Sequence, residues 1–95
     1  MTALPYPPTL DFYRRADCEL CDEARHALQQ VLEDRARRGE PTPRVRYIDV
    51  DADATLAERY DTLVPVIAIG GQELTLVAGY RQIETLLDRV MPRRA

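Results

Sequence analysis

From Glu19 to about Arg38 the chain changes its hydrophobic period. Cys21, Ala24, Leu28, Val31 and Leu32 recur at steps of three and four, with Glu23, Arg25, Gln29, Glu33 and Arg37 on the other side. That spacing predicts an amphipathic helix of about five turns, stopped by Gly39, Pro41 and Pro43. Short runs of a different kind flank it. "TLDFY" (residues 9–13) and "RVRYIDV" (44–50) have the aromatic and β-branched character of strands. Two strands joined through a helix pair in parallel with a right-handed crossover, so this unit sets the frame of the sheet.

Asp51 or Asp53 can cap a short helix through Tyr60 that buries Leu56 and Tyr60. Pro65 then opens "VIAI", and "GGQ" connects it to "ELTLVAG", which reads as a β-hairpin with a three-residue connection. After Gly79, the spacing of Ile83, Leu86, Leu87 and Val90 predicts a closing helix. The expected order is β-α-β-α-β-β-α, with a mixed four-stranded sheet. Residues 1–8, with three prolines, form an extended lead-in, residues 9–91 a single domain, and residues 92–95 a tail.

With 95 residues the chain has room for one small core, and 45% apolar residues suffice to build it. A net charge of −3, with no basic stripe on a helical face, argues against a nucleic-acid partner. All thirteen basic residues are arginine. "MTALPYPPTL" has neither the basic nor the apolar segment of a signal peptide. No apolar run approaches the roughly 20 residues that span a bilayer. The expected location is therefore cytoplasmic, away from membranes.

The only two cysteines, Cys18 and Cys21, stand three apart where the first helix begins. In a reducing compartment a permanent staple is not their expected use. Residues three apart on a helix have Cα atoms about 5 Å apart, inside the span of about 4.4–6.8 Å that a disulfide accepts. Such a pair can open and close with little backbone movement. Cys18 meets the free N–H groups of the helix start, which stabilise a thiolate, whereas Cys21 is in register with Ala24 and Leu28 and faces the core. An exposed nucleophile beside a shielded resolving thiol suits thiol–disulfide exchange. Arg14 and Arg15 favour the thiolate, while Asp17, Glu19, Asp22 and Glu23 oppose it, a balance that points to a reductant. Half of a zinc site and two inert thiols are the alternatives. The first lacks ligands, because His26 is the one histidine and there is no second cysteine pair.

Taken together, a strand, C-x-x-C at a helix start, a second strand, a helix and a proline opening a hairpin resemble the thioredoxin fold in its short, glutaredoxin-like form. The resemblance spans residues 9–91 and implies an α/β fold with helices on both faces of the sheet. It implies that Pro65 is cis and faces the redox pair, and that Val64 offers its backbone to a bound substrate chain. Arg15 holds the basic position three before the first cysteine. Two departures stand out. Glu19 and Leu20 replace the Pro-Tyr frequent between the cysteines, and Gly79, Tyr80, Arg81 and Gln82 keep only the first glycine of the glutathione-binding pattern. "GYR" is closer to the "GFR" of redoxins that take electrons from a flavoprotein reductase. The resemblance and the spacing together lead to a dithiol–disulfide oxidoreductase with Cys18 and Cys21 as catalytic residues. Arg15, Val64, Pro65, Gly79, Tyr80 and Arg81 would bind substrate, with no bound metal or cofactor. The expected substrate is a disulfide-bearing protein, and thioredoxin reductase or glutathione is the expected electron donor. The alternative is a thioredoxin-fold binding module or adaptor in which the thiols are incidental.

Overall fold

A computed structural model of the chain describes residues 7–77 and 79–92. Most of the lead-in over 1–8 and of the tail over 92–95 therefore lies outside the described residues. The first strand, β1 (Thr9–Arg14), is followed by helix α1 (Glu19–Arg37) and strand β2 (Arg44–Asp49). A single 3-10 turn (Val50–Ala52) leads to helix α2 (Ala54–Tyr60). Strands β3 (Val66–Ile69) and β4 (Gln72–Leu74) precede the last helix, α3 (Tyr80–Val90). The sheet order is β2-β1-β3-β4, with β1 parallel to β2 and antiparallel to β3, and β3 antiparallel to β4. This is the mixed, thioredoxin-like arrangement expected from the order of elements.

Alternation along the two central strands builds two cores. Leu10 and Phe12 of β1 and Ile67 and Ile69 of β3 face the layer made by α1 and α3, where Ala24, Leu28, Val31, Ile83, Leu86 and Leu87 are buried. Tyr13 and Val66 point the other way, into a smaller cluster with Val50, Leu56, Tyr60 and Val64. Each apolar side chain so buried contributes about 1.5–3 kcal/mol. α2 thus covers one face of the sheet, and α1 with α3 covers the other.

Two details differ from the sequence-based expectation. The hairpin connection has two residues, because Gln72 already pairs with Ile69. Gly70 and Gly71 take φ of +56° and +77°, the left-handed values that a tight hairpin turn requires. At Gly70 a Cβ would also lie 2.6 Å from Val90 Cγ1, so a larger residue is disfavoured on two grounds. β4 stops at Leu74 instead of running on to Gly79. Leu76 adopts φ +49°, and the chain bends back so that Leu76 N–H donates to Leu63 O at 2.9 Å and Val77 N–H to Pro65 O at 3.1 Å. Those two bonds tie the end of the hairpin to the segment that enters β3.

Arg35 continues the buried stripe of α1 one step beyond Val31 and is wholly buried. Its guanidinium donates to Pro41 O (2.9 Å), Asp88 Oδ1 (2.9 Å) and Met91 O (2.8 Å). It thereby joins the end of α1, the loop into β2 and the end of α3. Replacing Arg35 with Met should lower unfolding free energy by roughly 2–4 kcal/mol, because the buried carbonyls of Pro41 and Met91 lose their donors. Arg35→Lys should recover little, since one ammonium cannot reach acceptors spread in a fork. Urea denaturation of the three proteins measures this; a lysine variant as stable as the parent would show that charge alone suffices.

Candidate active site

β1 delivers the chain to the site. After Arg14 a turn places Asp17 at φ +56°, a conformation that aspartate tolerates better than most residues. That turn lets Cys18 become the N-cap of α1, with extended backbone angles (φ −113°, ψ 104°). Cys18 O accepts the first helical bond from Asp22 N–H at 3.1 Å, and Cys18 Sγ accepts from Cys21 N–H, also at 3.1 Å. The sulfur thus occupies the position in which Ser or Asp oxygens ordinarily cap a helix. Cys18 and Cys21 are joined as a disulfide, with Cα atoms 5.2 Å apart. Cys18 is partly exposed, whereas Cys21 is 1% exposed within the smaller core.

Val64 and Pro65 arrive from the opposite side of that cluster. Val64 packs in the same buried group as Cys21, with Cys18 against it. The Val64–Pro65 peptide bond is cis. Among the described residues, neither the N–H nor the C=O of Val64 makes a hydrogen bond. Around this junction lie three of the exposed large apolar residues: Leu20 (54% exposed) between the cysteines, Leu63 (36%), and Leu76 (51%) bonded to Leu63. The pattern of the sequence does not identify this collar. Only a tertiary bend brings Leu76 to Leu63, although Leu20 on the polar side of an amphipathic helix is a legible irregularity.

The bond from Val77 N–H to Pro65 O brings Gly79 within two residues of this junction, while the side chains of Arg15, Tyr80 and Arg81 have other neighbours. Arg15 Nε donates to Asp51 Oδ2 (3.1 Å) and its Nη1 to Asp61 O (2.9 Å), so it braces the 3-10 turn against the end of α2. Gly79 caps α3 with extended backbone and no side-chain cap bond. The Tyr80 hydroxyl donates to Asp34 Oδ2 at 2.6 Å, near the far end of α1, and its ring packs on the larger core. The Asp34 carboxylate is held below its ordinary pKa chiefly by that bond, and the Tyr80 hydroxyl is correspondingly raised. Arg81 lines a separate cleft of about 310 Å³ with Leu74, Gln82, Thr85, Leu86 and Arg89. No residue of the cysteine cluster lines that cleft. His26 is exposed on α1, and among the described residues no three His, Cys, Asp or Glu side chains converge as metal ligands. No helix among the described residues is long and apolar enough to cross a membrane.

Tyr60 ends α2 just before the segment that carries Val64. Its ring lies 4.5 Å from that of Tyr13, and its hydroxyl donates to Glu73 Oε2 of β4 at 2.8 Å. Together with Arg15, which bonds to Asp61, Tyr60 anchors the start of the loop that presents Val64.

A family model described as glutaredoxin-like domain (DUF836) matches residues 9–91. Two solved structures of one protein, the structural-genomics target XcR50 from X. campestris, are similar to the chain. The X-ray structure is 32% identical with a TM-score of 0.69, covering 84% of this chain and 96% of XcR50. The solution structure is 31% identical with a TM-score of 0.65, covering 90% and 97%. Among curated proteins there is no significant match.

Burial, and then the bond to Glu73, push the Tyr60 hydroxyl up to about 12 from an ordinary value near 10. Unfolded chains release this proton near pH 10, while the folded chain holds it to about pH 12. The stabilisation is therefore complete below pH 10 and is lost as pH rises through 12. Urea midpoints should fall between about pH 10 and 12, and Tyr60→Phe should flatten that fall, leaving the smaller slope due to Tyr80. An unaltered slope in the phenylalanine variant would remove Tyr60 from the alkaline transition.

Proposed function

The chain belongs to the family of glutaredoxin-like domains, and on that premise we propose that it is a dithiol–disulfide oxidoreductase that reduces protein disulfides. The observation that carries this reading is the asymmetry of the cysteine pair. Cys18 is partly exposed, with the Cys21 N–H aimed at its sulfur, while Cys21 is enclosed. When the pair is reduced, that N–H and the helix start stabilise a thiolate on Cys18.

The thiolate attacks one sulfur of the substrate disulfide. The substrate S–S bond breaks, its outer sulfur leaves as a thiolate that takes a proton from solvent, and a mixed disulfide joins Cys18 to the substrate. Cys21 then gives up its proton and attacks Cys18 Sγ. The second substrate thiol leaves, and the Cys18–Cys21 disulfide closes, two electrons having passed to the substrate. Val64 N–H and C=O can pair with an extended substrate segment during both steps, and Leu20, Leu63 and Leu76 supply apolar contact around it. That collar favours a protein substrate over a small one. The carboxylates of Asp17, Glu19, Asp22 and Glu23 are all exposed around the helix start and oppose the thiolate, which makes the pair a reductant.

Regeneration requires a dithiol or flavoprotein reductase of the thioredoxin reductase type, drawing on NADPH. Glutathione is the weaker donor in this reading. Tyr80 is committed to Asp34 and Arg81 lies in a separate cleft, so the start of α3 offers a carboxylate little beyond backbone N–H groups. Oxidised protein should be reduced faster by NADPH with thioredoxin reductase than by glutathione; the reverse order would return the chain to glutathione-dependent chemistry.

The division of labour is tested by two variants. Cys18→Ser should abolish reduction of a protein disulfide, and Cys21→Ser should accumulate a mixed disulfide detectable by mass spectrometry. Equal trapping by both would overturn the assigned roles. Failure of the wild-type chain itself to reduce any protein disulfide would leave a binding module as the reading.

A further inference from the structure

A second concavity lies on the β2 side of α1, its nearest α1 residue, Asp22, one turn along from Cys18. Arg14 from the end of β1, Asp22 and Arg25 from α1, and Tyr47 from β2 line a cleft of about 410 Å³. Cys18, Asp22 and Arg25 are spaced at i, i+4 and i+7, so the cleft opens from the helical face that begins at the attacking sulfur. Arg14 and Tyr47 belong to the same side of the sheet, because Phe12 precedes Arg14 by two residues and pairs with Tyr47 across the strands. The Tyr47 ring is 44% exposed and is steadied by Phe12 at 5.4 Å between centroids.

The guanidiniums of this cleft are uncommitted. Six other described arginines, including Arg15, Arg35 and Arg46, form ion pairs. Arg14 and Arg25 form neither an ion pair nor a side-chain hydrogen bond among the described residues, even though Asp22 shares the cleft with them. Two forked donors, one acceptor and an aromatic wall match a peptide that carries a carboxylate. The carboxylate pairs with the guanidiniums, a main-chain N–H reaches Asp22, and the stem of the acidic side chain lies on Tyr47.

We propose that this cleft selects substrates by an acidic residue about two to three positions from the reactive cysteine, an inference that rests on the oxidoreductase reading above. The spacing is a matter of geometry. Asp22 and Arg25 lie about 6 and 10 Å along the helix from Cys18, and an extended peptide advances about 3.3 Å per residue. The exposed carboxylates of Asp17, Glu19 and Glu23 do not line the cleft. Their field is screened over about 8 Å at physiological salt, so they lower the encounter rate of every acidic peptide alike without reading its spacing.

The test uses the whole reduced chain and short peptides whose cysteine is joined by a disulfide to 2-thiopyridine. Attack by Cys18 on the peptide sulfur releases 2-thiopyridone, which is read by absorbance, and attack by Cys21 then frees the peptide thiol. Three peptides carry Glu, Gln or Arg two residues from the cysteine on both sides, and a fourth carries Glu next to the cysteine. The wild-type chain should prefer the spaced Glu peptide over its Gln counterpart by about tenfold in kcat/KM, the size of one charge-assisted contact in a half-open cleft. Arg25→Gln and Arg14→Gln should each reduce that ratio several-fold, chiefly through KM, with far-UV circular dichroism confirming the fold. Equal rates on the Glu and Gln peptides, or a preference for the adjacent Glu, would overturn the inference and leave the redox reading intact. Failure to reduce any of the peptides would overturn both.

Discussion

A buried guanidinium holds the layers of this small protein together. Arg35 is wholly enclosed and donates to three acceptors that come from the loop into β2 and from the last turns of α3. No apolar side chain could satisfy the two carbonyls among them, and burying those carbonyls without donors would cost more than the packing gains. α1 is a rod of nineteen residues, about 28 Å long. Fixing its far end on α3 and on the approach to β2 therefore also fixes the direction in which its near end, with Cys18, meets the sheet.

At that near end the chemistry depends on backbone geometry more than on charged side chains. Asp17 supplies a left-handed turn, Cys18 takes the cap, and the N–H of Cys21 points at the Cys18 sulfur. The helix start gives one sulfur a donor and an opening to solvent while the helix buries the other. On the facing side, Arg15 and Tyr60 brace the loop that carries Val64, each through bonds to distant carboxylates or carbonyls. A site built in this way can exchange a disulfide without large movement of the backbone, as the 5.2 Å separation of the two Cα atoms permits.

Several of the expected site residues have long-range partners within the scaffold. The resemblance to glutaredoxins implies a substrate contact for Arg15, and in the structure its guanidinium bridges Asp51 and Asp61. Tyr80, in sequence an intruder in the glycine pattern at the start of α3, sends its hydroxyl to Asp34 of α1. In both cases the local pattern does not name the long-range partner. The unpaired arginines of the β2-side cleft illustrate the converse, since Arg25 reads as an ordinary polar residue of a solvent-facing stripe until Tyr47 and Arg14 are placed beside it.

By itself the sequence determined the elements and the position of the cysteine pair, because those depend on periods of 3.6 and 2 residues and on caps and breakers acting over a few residues. Cys21 had to face inward once it shared a stripe with Ala24 and Leu28, and β1 had to run parallel to β2 once a helix joined them. The strand order, the bend at Leu76 that assembles the apolar collar, the enclosure of Arg35 and the partners of Arg15, Tyr60 and Tyr80 were decided only by the tertiary structure. These join residues up to 56 positions apart. A guanidinium, hydroxyl or exposed leucine carries no period that names such a partner. Which polar group it meets depends on how the layers stack, and that is set by the summed burial of the whole core.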